Sequence, residues 1–404
     1  MHASSRSNGR AKPEPAKGPP ETMKLAEATP EAWLDTQATR PNAPGTVLLH
    51  AGSAVFQAPG GGEVQLIKTA MALQARGCRV GLFNPWRDKI ADARLIHLFG
   101  LHPEFEAVAA LAKSAGIGVV ISPICWYDPR AQWALAPGWL SGCLAVAKHC
   151  TLSHIPPLRH RAWRSRLLRL ADAILPNSRA EADQLHRLLG VPAHRLHVVP
   201  NAVDLDESAQ FRRSAADANV YDSDDPWLSD AGDYVLYAGR IEPRKNVLGL
   251  IHACRALDLP LVIIGSAPAG SLAYLNHCRD AAAGARVRFV GSMPKGDLRL
   301  AAAMAGARVF ALPSWFETPG LAALEAAAVE TPVVVTARGS TLEYFGDDVH
   351  YCDPADPATI REALRQAWNH PRATRPELAA RIRRNWSWNE TARITEAIYD
   401  AVAA

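Results

Sequence analysis

Short wholly apolar runs alternate along this chain with longer stretches in which apolar residues recur every three or four positions. The first run is TVLLHAG (46–52), which ends in a small-residue turn and predicts a buried parallel strand. APGGGEVQLIKTAMALQARG (58–77) follows, with a tight loop at Gly60, Gly61 and Gly62, helical spacing through Val64, Ile67 and Leu73, and Gly77 placed as a C-cap. CRVGLFN (78–84), LIHLFG (95–100), GIGVVISPI (116–124) and ADAILPNS (171–178) repeat the strand signal with helical stretches between them. The pattern breaks after NAVD (201–204) and restarts at DYVLYAGR (233–240). PLVIIGS (260–266), RVRFVGS (286–292), ARVFALPS (307–314) and TPVVVT (331–336) read as further buried strands. This alternation predicts an α/β fold with two parallel sheets, each covered by helices on both faces.

The organisation that follows has five parts. Residues 1–45 lack apolar periodicity and read as disordered, 46–204 as the first α/β domain, 205–232 as a linker and 233–386 as the second domain. A last helix over 387–404 is expected to return to the first domain.

Composition narrows the class without deciding it. Hydrophobic residues make up 48% of 404 and charged residues 21%, an ordinary globular balance. The net charge of +4 suits anionic ligands and gives no case for nucleic acid, because the single basic stretch lacks interleaved stacking aromatics. Seven scattered cysteines without a CxxC argue against a disulfide framework or a zinc site and fit a cytoplasmic setting. No run is long enough to span a bilayer, and no secretory leader is legible.

Two motifs carry chemistry. In PSWFETPGLAALEAAAVETPVVVT (313–336), Thr318 is placed as an N-cap and Pro319 as the first helical residue. The N–H groups of Gly320 and Leu321 would then head a helix able to hold phosphate. Glu325 lies about 7 Å further along the axis, a distance suited to a ribose diol. Glu317 precedes the helix and could reach a group beyond the phosphates. In YAGRIEPRKNV (237–247), Arg240 and Lys245 follow a strand's carboxyl end, where two cations suit an anion.

Both motifs fall in the same half and in register. Together with GGGEVQLIKTAMALQARG, ADAILPNSRAEADQL, HVVPNAVD and RFVGSMPKGDL they resemble family 4 of the glycosyltransferases, over about residues 46–402. The resemblance implies a GT-B fold, a nucleotide-sugar donor in the second domain and an acceptor in the first. It implies that Arg240 and Lys245 bind the donor pyrophosphate with the N–H groups of Gly320 and Leu321. Glu325 would take the ribose, Glu317 the transferred sugar and Met293 the base, with Gly61 and Gly62 closing on the phosphates. It further implies metal-independent transfer of a hexose from a UDP- or GDP-sugar, with retention and without a cofactor. The acceptor expected from the family's commonest work is a glycan or lipid-linked glycan of a bacterial surface polysaccharide, such as lipopolysaccharide.

The chain departs from the family at several positions. Thr318-Pro319-Gly320 stands for Gly-Phe-Gly, Glu330 for a glycine, and NAVD for NGVD. A histidine common after a first-domain strand is absent from GVVISPICWYD (118–128), where Cys125, Trp126 and Asp128 stand instead; His154 lies nearby in sequence. That absence leaves open a non-catalytic nucleotide-sugar binder of the same fold; an epimerase is another alternative, and a phosphorylase lacks a marked lysine for pyridoxal phosphate. Finally, IPPLRHRAWRSRLLRL (155–170) is basic and amphipathic. It reads as a helix packed on the core, with peripheral contact to the inner face of the plasma membrane, or a phosphate-bearing acceptor, as the functional alternatives.

Overall fold

The structure, a computed structural model, describes residues 30–39, 42–52, 60–154, 162–204, 233–293, 297–369 and 376–404. The linker reading over 205–232 and the basic residues 155–161 lie outside the described residues.

The first sheet is built from β1 (Val47–Ala51), β2 (Val80–Leu82), β3 (Leu95–Phe99), β4 (Gly118–Ser122) and β5 (Ala173–Ile174), in the order β2-β1-β3-β4-β5. The second uses β6 (Val235–Ala238), β7 (Leu261–Ile264), β8 (Val287–Gly291), β9 (Val309–Leu312), β10 (Val333–Thr336) and β11 (His350–Cys352), in the order β11-β10-β9-β6-β7-β8. All the strand pairings in both sheets are parallel. The wholly apolar runs are wholly buried because helices cover both faces: β3, β6, β7, β9 and β10 have no exposed position. This is the GT-B architecture of two Rossmann-like domains facing a central cleft.

The buried reading fails at β8. This strand is an edge, partly or fully exposed along its whole length. Alternation of Arg286 and Arg288 with Val287 and Phe289 is the signature of a half-covered strand, and the apolar pair masked it. The disordered reading over 1–45 also needs correction. Pro30–Thr39 is a helix whose Trp33 is buried in the first core, its indole Nε1 donating to Gln74 Oε1 at 2.8 Å. Residues 1–29 lie outside the described residues.

The chain crosses between the halves twice. Val203, at the end of the first half, donates its N–H to the Trp386 carbonyl at 3.1 Å and bridges Ser387. The helix Trp388–Ala403 then packs on the first sheet's side, against Gly61–Ala75. Its Tyr399 is fully buried, with the hydroxyl 2.6 Å from His97 Nδ1 on β3, while His97 Nε2 lies 2.9 Å from Ser122 Oγ on β4. Burial pulls the His97 pKa down to about 3, so the ring is neutral and bridges two hydroxyls. Tyr399→Phe leaves a buried ring nitrogen without its partner. It is expected to lower the unfolding free energy by about 1–3 kcal/mol, read from the urea midpoint. An unchanged midpoint would mean that this contact does not hold the last helix.

Candidate active site

Open parallel sheets bind ligands beyond the carboxyl ends of the strands, where the strand order reverses. In the second sheet that point lies between β6 and β9. β6 runs out into the loop carrying Arg240 and Lys245, and β9 into the loop carrying Glu317. Lys245 Nζ donates to Glu317 Oε1 at 2.6 Å, with the two side chains 14% and 5% exposed. Burial alone would raise the Glu317 carboxyl; the Lys245 ammonium and Arg244 guanidinium outweigh it and hold Glu317 ionised, below the usual carboxylate range. Burial draws the Lys245 pKa down, opposed by Glu317.

Arg244 completes this cluster and was passed over in the sequence, although it stands beside Lys245. Its Nη1 donates to the Phe316 carbonyl at 3.1 Å and lies 3.9 Å from Glu317 Oε1, while Nε donates to Glu242 at 3.2 Å. Arg240 is less committed: its Nη2 is 3.5 Å from Glu242 Oε1 and its side chain is 36% exposed.

The helix after Glu317 starts one step later than the sequence suggests. Gly320, not Thr318, is the N-cap, with φ of 91°, and Leu321–Ala328 is the helix; Pro319 lies before it, joined to Thr318 by a cis peptide bond. A left-handed N-cap is accessible to glycine without steric cost. The N–H groups of Leu321 and Ala322 therefore head the helix without intrahelical acceptors. Glu325 is half-buried on the same helix. Glu330, just past its C-cap, has φ of 70°, a left-handed position that explains why glycine is the family's usual residue there.

The other half meets this site through the loop after β1. A Cβ built on Gly60 would lie 3.2 Å from Arg240 Cζ, and one on Gly61 3.9 Å from Leu321 Cδ1. Gly60 is the N-cap of the helix Gly61–Ala75 and donates its N–H to Glu63 Oε2 at 2.6 Å. Thus Arg240, Lys245, Glu317, Gly320, Leu321 and Gly61 share one cleft. Gly62 faces Ile124 in its own half, and Met293 packs against the second core after β8.

No sequence motif announces the contacts that register the two halves. Thr318 carbonyl accepts from Asn177 Nδ2 at 3.1 Å and Asn201 Nδ2 at 3.5 Å. Ser178 Oγ and Ser340 Oγ lie 2.7 Å apart, and Tyr344 hydroxyl donates to the Asn177 carbonyl at 2.6 Å. Where the family carries its histidine, Ile124 has φ of 47° and Asp128 reaches across the cleft, 3.4 Å from Arg338 Nη1. Arg338 also donates to Asp353 at 2.8 Å.

Two sequence profiles fit these halves. Glycosyltransferase Family 4 matches residues 59–207, and Glycosyl transferases group 1 matches 225–386. The chain belongs to glycosyltransferase family 4. Relatives of this family-4 enzyme include the D-inositol 3-phosphate glycosyltransferase of Xylanimonas cellulosilytica, 29% identical over 84% of this chain and 91% of that one. The enzyme of the same name from Mycobacteroides abscessus is 30% identical over 53% of this chain and 50% of its own. Among solved structures, Anabaena HepE in complex with UDP and glucose superposes with a TM-score of 0.61 at 16% identity, covering 89% of this chain and 99% of that one. Sucrose-phosphate synthase from Thermosynechococcus elongatus gives 0.63 at 17% identity over 88% and 98%. At these identities the structures show a shared fold.

One carboxylate in this glycosyltransferase escaped the sequence reading altogether. Glu181 is fully buried and accepts from the Cys125 N–H at 2.7 Å and the Asn177 N–H at 2.8 Å, tying the loop after β4 to the interdomain contacts. Burial raises its pKa to about 7 against the pull of those hydrogen bonds. Its spacing from Ser178, a capping-box distance, was the available signal. Because the folded state holds the proton more tightly than the unfolded chain, Glu181 contributes most below about pH 4.5, and that contribution is lost as pH rises through about 7. The stability margin of the parent over Glu181→Gln is therefore expected to shrink from pH 4.5 to 7 in paired urea titrations. A margin that grows over this range would contradict the raised pKa.

Proposed function

We propose that this family-4 enzyme transfers a hexose from a UDP- or GDP-sugar, with retention of configuration, to a hydroxyl of a glycan or lipid-linked glycan acceptor. The observation that supports it best is the meeting of Arg240, Lys245 and Glu317 with a helix start at the sheet's switch point, opposite the Gly60–Gly61 loop. The pyrophosphate would lie between Arg240, Lys245 and the N–H groups of Leu321 and Ala322. Glu325 would accept from the ribose hydroxyls, with Met293 beside the base. Glu317, already ionised, would face the transferred sugar.

Breaking the sugar–phosphate bond leaves negative charge on the diphosphate. Two cations and a helix start would stabilise that charge as it develops, each charge-assisted hydrogen bond contributing about 1.5–3 kcal/mol. The departing phosphate then takes the acceptor's proton on the face it leaves, which keeps the anomeric configuration. HepE, solved with UDP and with UDP-glucose, supports the donor class. A phosphate-bearing acceptor is the second reading, favoured by relatives named for inositol 3-phosphate.

Arg240 is the cleaner probe of the phosphate site, because Lys245→Ala also strands the buried Glu317 charge. Arg240→Ala is expected to weaken UDP or GDP binding about tenfold to a hundredfold by calorimetry, with the melting temperature of the unliganded protein unchanged. Parental affinity would remove Arg240 from the phosphates. Glu325→Ala is expected to abolish the preference for the nucleoside diphosphate over inorganic pyrophosphate; a retained preference would exclude it from the ribose.

A further inference from the structure

Glu317 is held by its backbone as well as by Lys245. Its N–H donates to the Arg338 carbonyl at 3.1 Å, and its carbonyl accepts from the Ser340 N–H at 2.8 Å. Between these two bonds Gly339 bridges Glu317 with φ of 107°, and a Cβ there would collide with the Glu317 carbonyl. The backbone of Glu317 therefore follows residues 338–340. Lys245 and Arg244 fix its carboxylate from within the second half.

The same short segment is fastened to the first half. Arg338 faces Asp128 across the cleft, with both side chains 14% exposed. Ser340 Oγ lies 2.7 Å from Ser178 Oγ. Glu343, on the short helix Thr341–Phe345, accepts from the N–H groups of Arg179 at 2.8 Å and Ala180 at 3.3 Å. Those two N–H groups open the helix Arg179–Leu189 and have no intrahelical acceptor. The helix's own cap, Ser178, accepts from the Glu181 N–H instead. A carboxylate of the second half thus completes the cap of a helix in the first, where the helix dipole favours negative charge.

We propose that residues 338–344 form a positioning strap, which registers the Glu317 backbone against the first half through Asp128–Arg338 at the cleft and Glu343 at the helix start. This rests on the proposed donor site, with Glu317 facing the transferred sugar and the acceptor bound by the first half. Transfer between a sugar held by one half and a hydroxyl held by the other needs the reacting atoms about 3–3.5 Å apart, and a shift of about 1 Å can cost a hundredfold in rate. A segment bonded to both halves sets that separation. Asp128, Arg338 and Glu343 act through Glu317 and are positioning residues.

Hydrogen exchange of the unliganded full chain tests the strap, read at the Glu317 amide or in the peptide covering 313–321. An amide exchanges when its hydrogen bond opens, so a loosened strap speeds exchange at Glu317. Asp128→Asn keeps the cap that Asp128 provides to the Arg130 and Ala131 N–H groups but removes the charge facing Arg338. Asp128→Glu keeps the charge and weakens the cap. Exchange is expected to run about threefold faster in Asp128→Asn and at the parental rate in Asp128→Glu. It is expected to run about tenfold faster when Asp128→Asn is combined with Glu343→Gln. Parental exchange in the double variant would overturn the proposal. So would the reverse order, with Asp128→Glu fast and Asp128→Asn parental, because the cap and not the charge would then govern the loop. Equal loss of protection across both sheets would also overturn it, as a global effect. Calorimetry with UDP or GDP keeps the two readings apart: every variant is expected to bind nucleotide like the parent, and a parent that binds neither would count against the donor site without altering the exchange result.

Discussion

The contact between Lys245 and Glu317 holds the candidate site together. It joins two loops 72 residues apart in sequence, which leave adjacent strands of the second sheet. A buried pair of this kind is costly to break from one side, because the surviving charge has little water to turn to. Arg244 adds a second cation, bound to the Phe316 carbonyl, so the backbone before Glu317 is fixed as well as its carboxylate. The position of Gly320 and the direction of the following helix depend on that backbone. Electrostatics and sheet topology thus set one another: the switch point brings the loops together, and the ion pair holds them at a fixed separation.

Much of this was legible beforehand, for a definite reason. Strands buried on both faces leave wholly apolar runs, and their connections leave glycines and cations at fixed offsets. Those signals located Arg240, Lys245, Glu317 and the glycine loop. What stayed hidden was long-range pairing. Arg338 follows an unremarkable strand and gains meaning from Asp353 and from Asp128, the latter 210 residues away. Asn177 and Asn201 read as strand ends until the Thr318 carbonyl comes between them. The helix at 30–39 was missed because, among its described residues, Trp33 is buried with only Leu34 packed beside it, too sparse a pattern for periodicity. The later helix start followed from Gly320, whose left-handed backbone made a better boundary than Thr318.

The residues proposed for the nucleotide cluster at the switch point of the second sheet. On the first-domain side, Asp128 and Arg338 face each other where a histidine would be usual in the family, and Glu181 supports the loop on which Asp128 stands. The polar chemistry of that wall is thus an ion pair across the cleft.

The described ends of the two halves lie side by side at one place: the Val203 N–H donates to the Trp386 carbonyl, and Val203 bridges Ser387. From Ser387 the chain runs straight into the last helix, whose Tyr399 is buried against His97 of the first sheet. The second half therefore ends as a piece of the first: its final backbone residues are anchored on one side by Val203 and on the other by a helix seated in the first core.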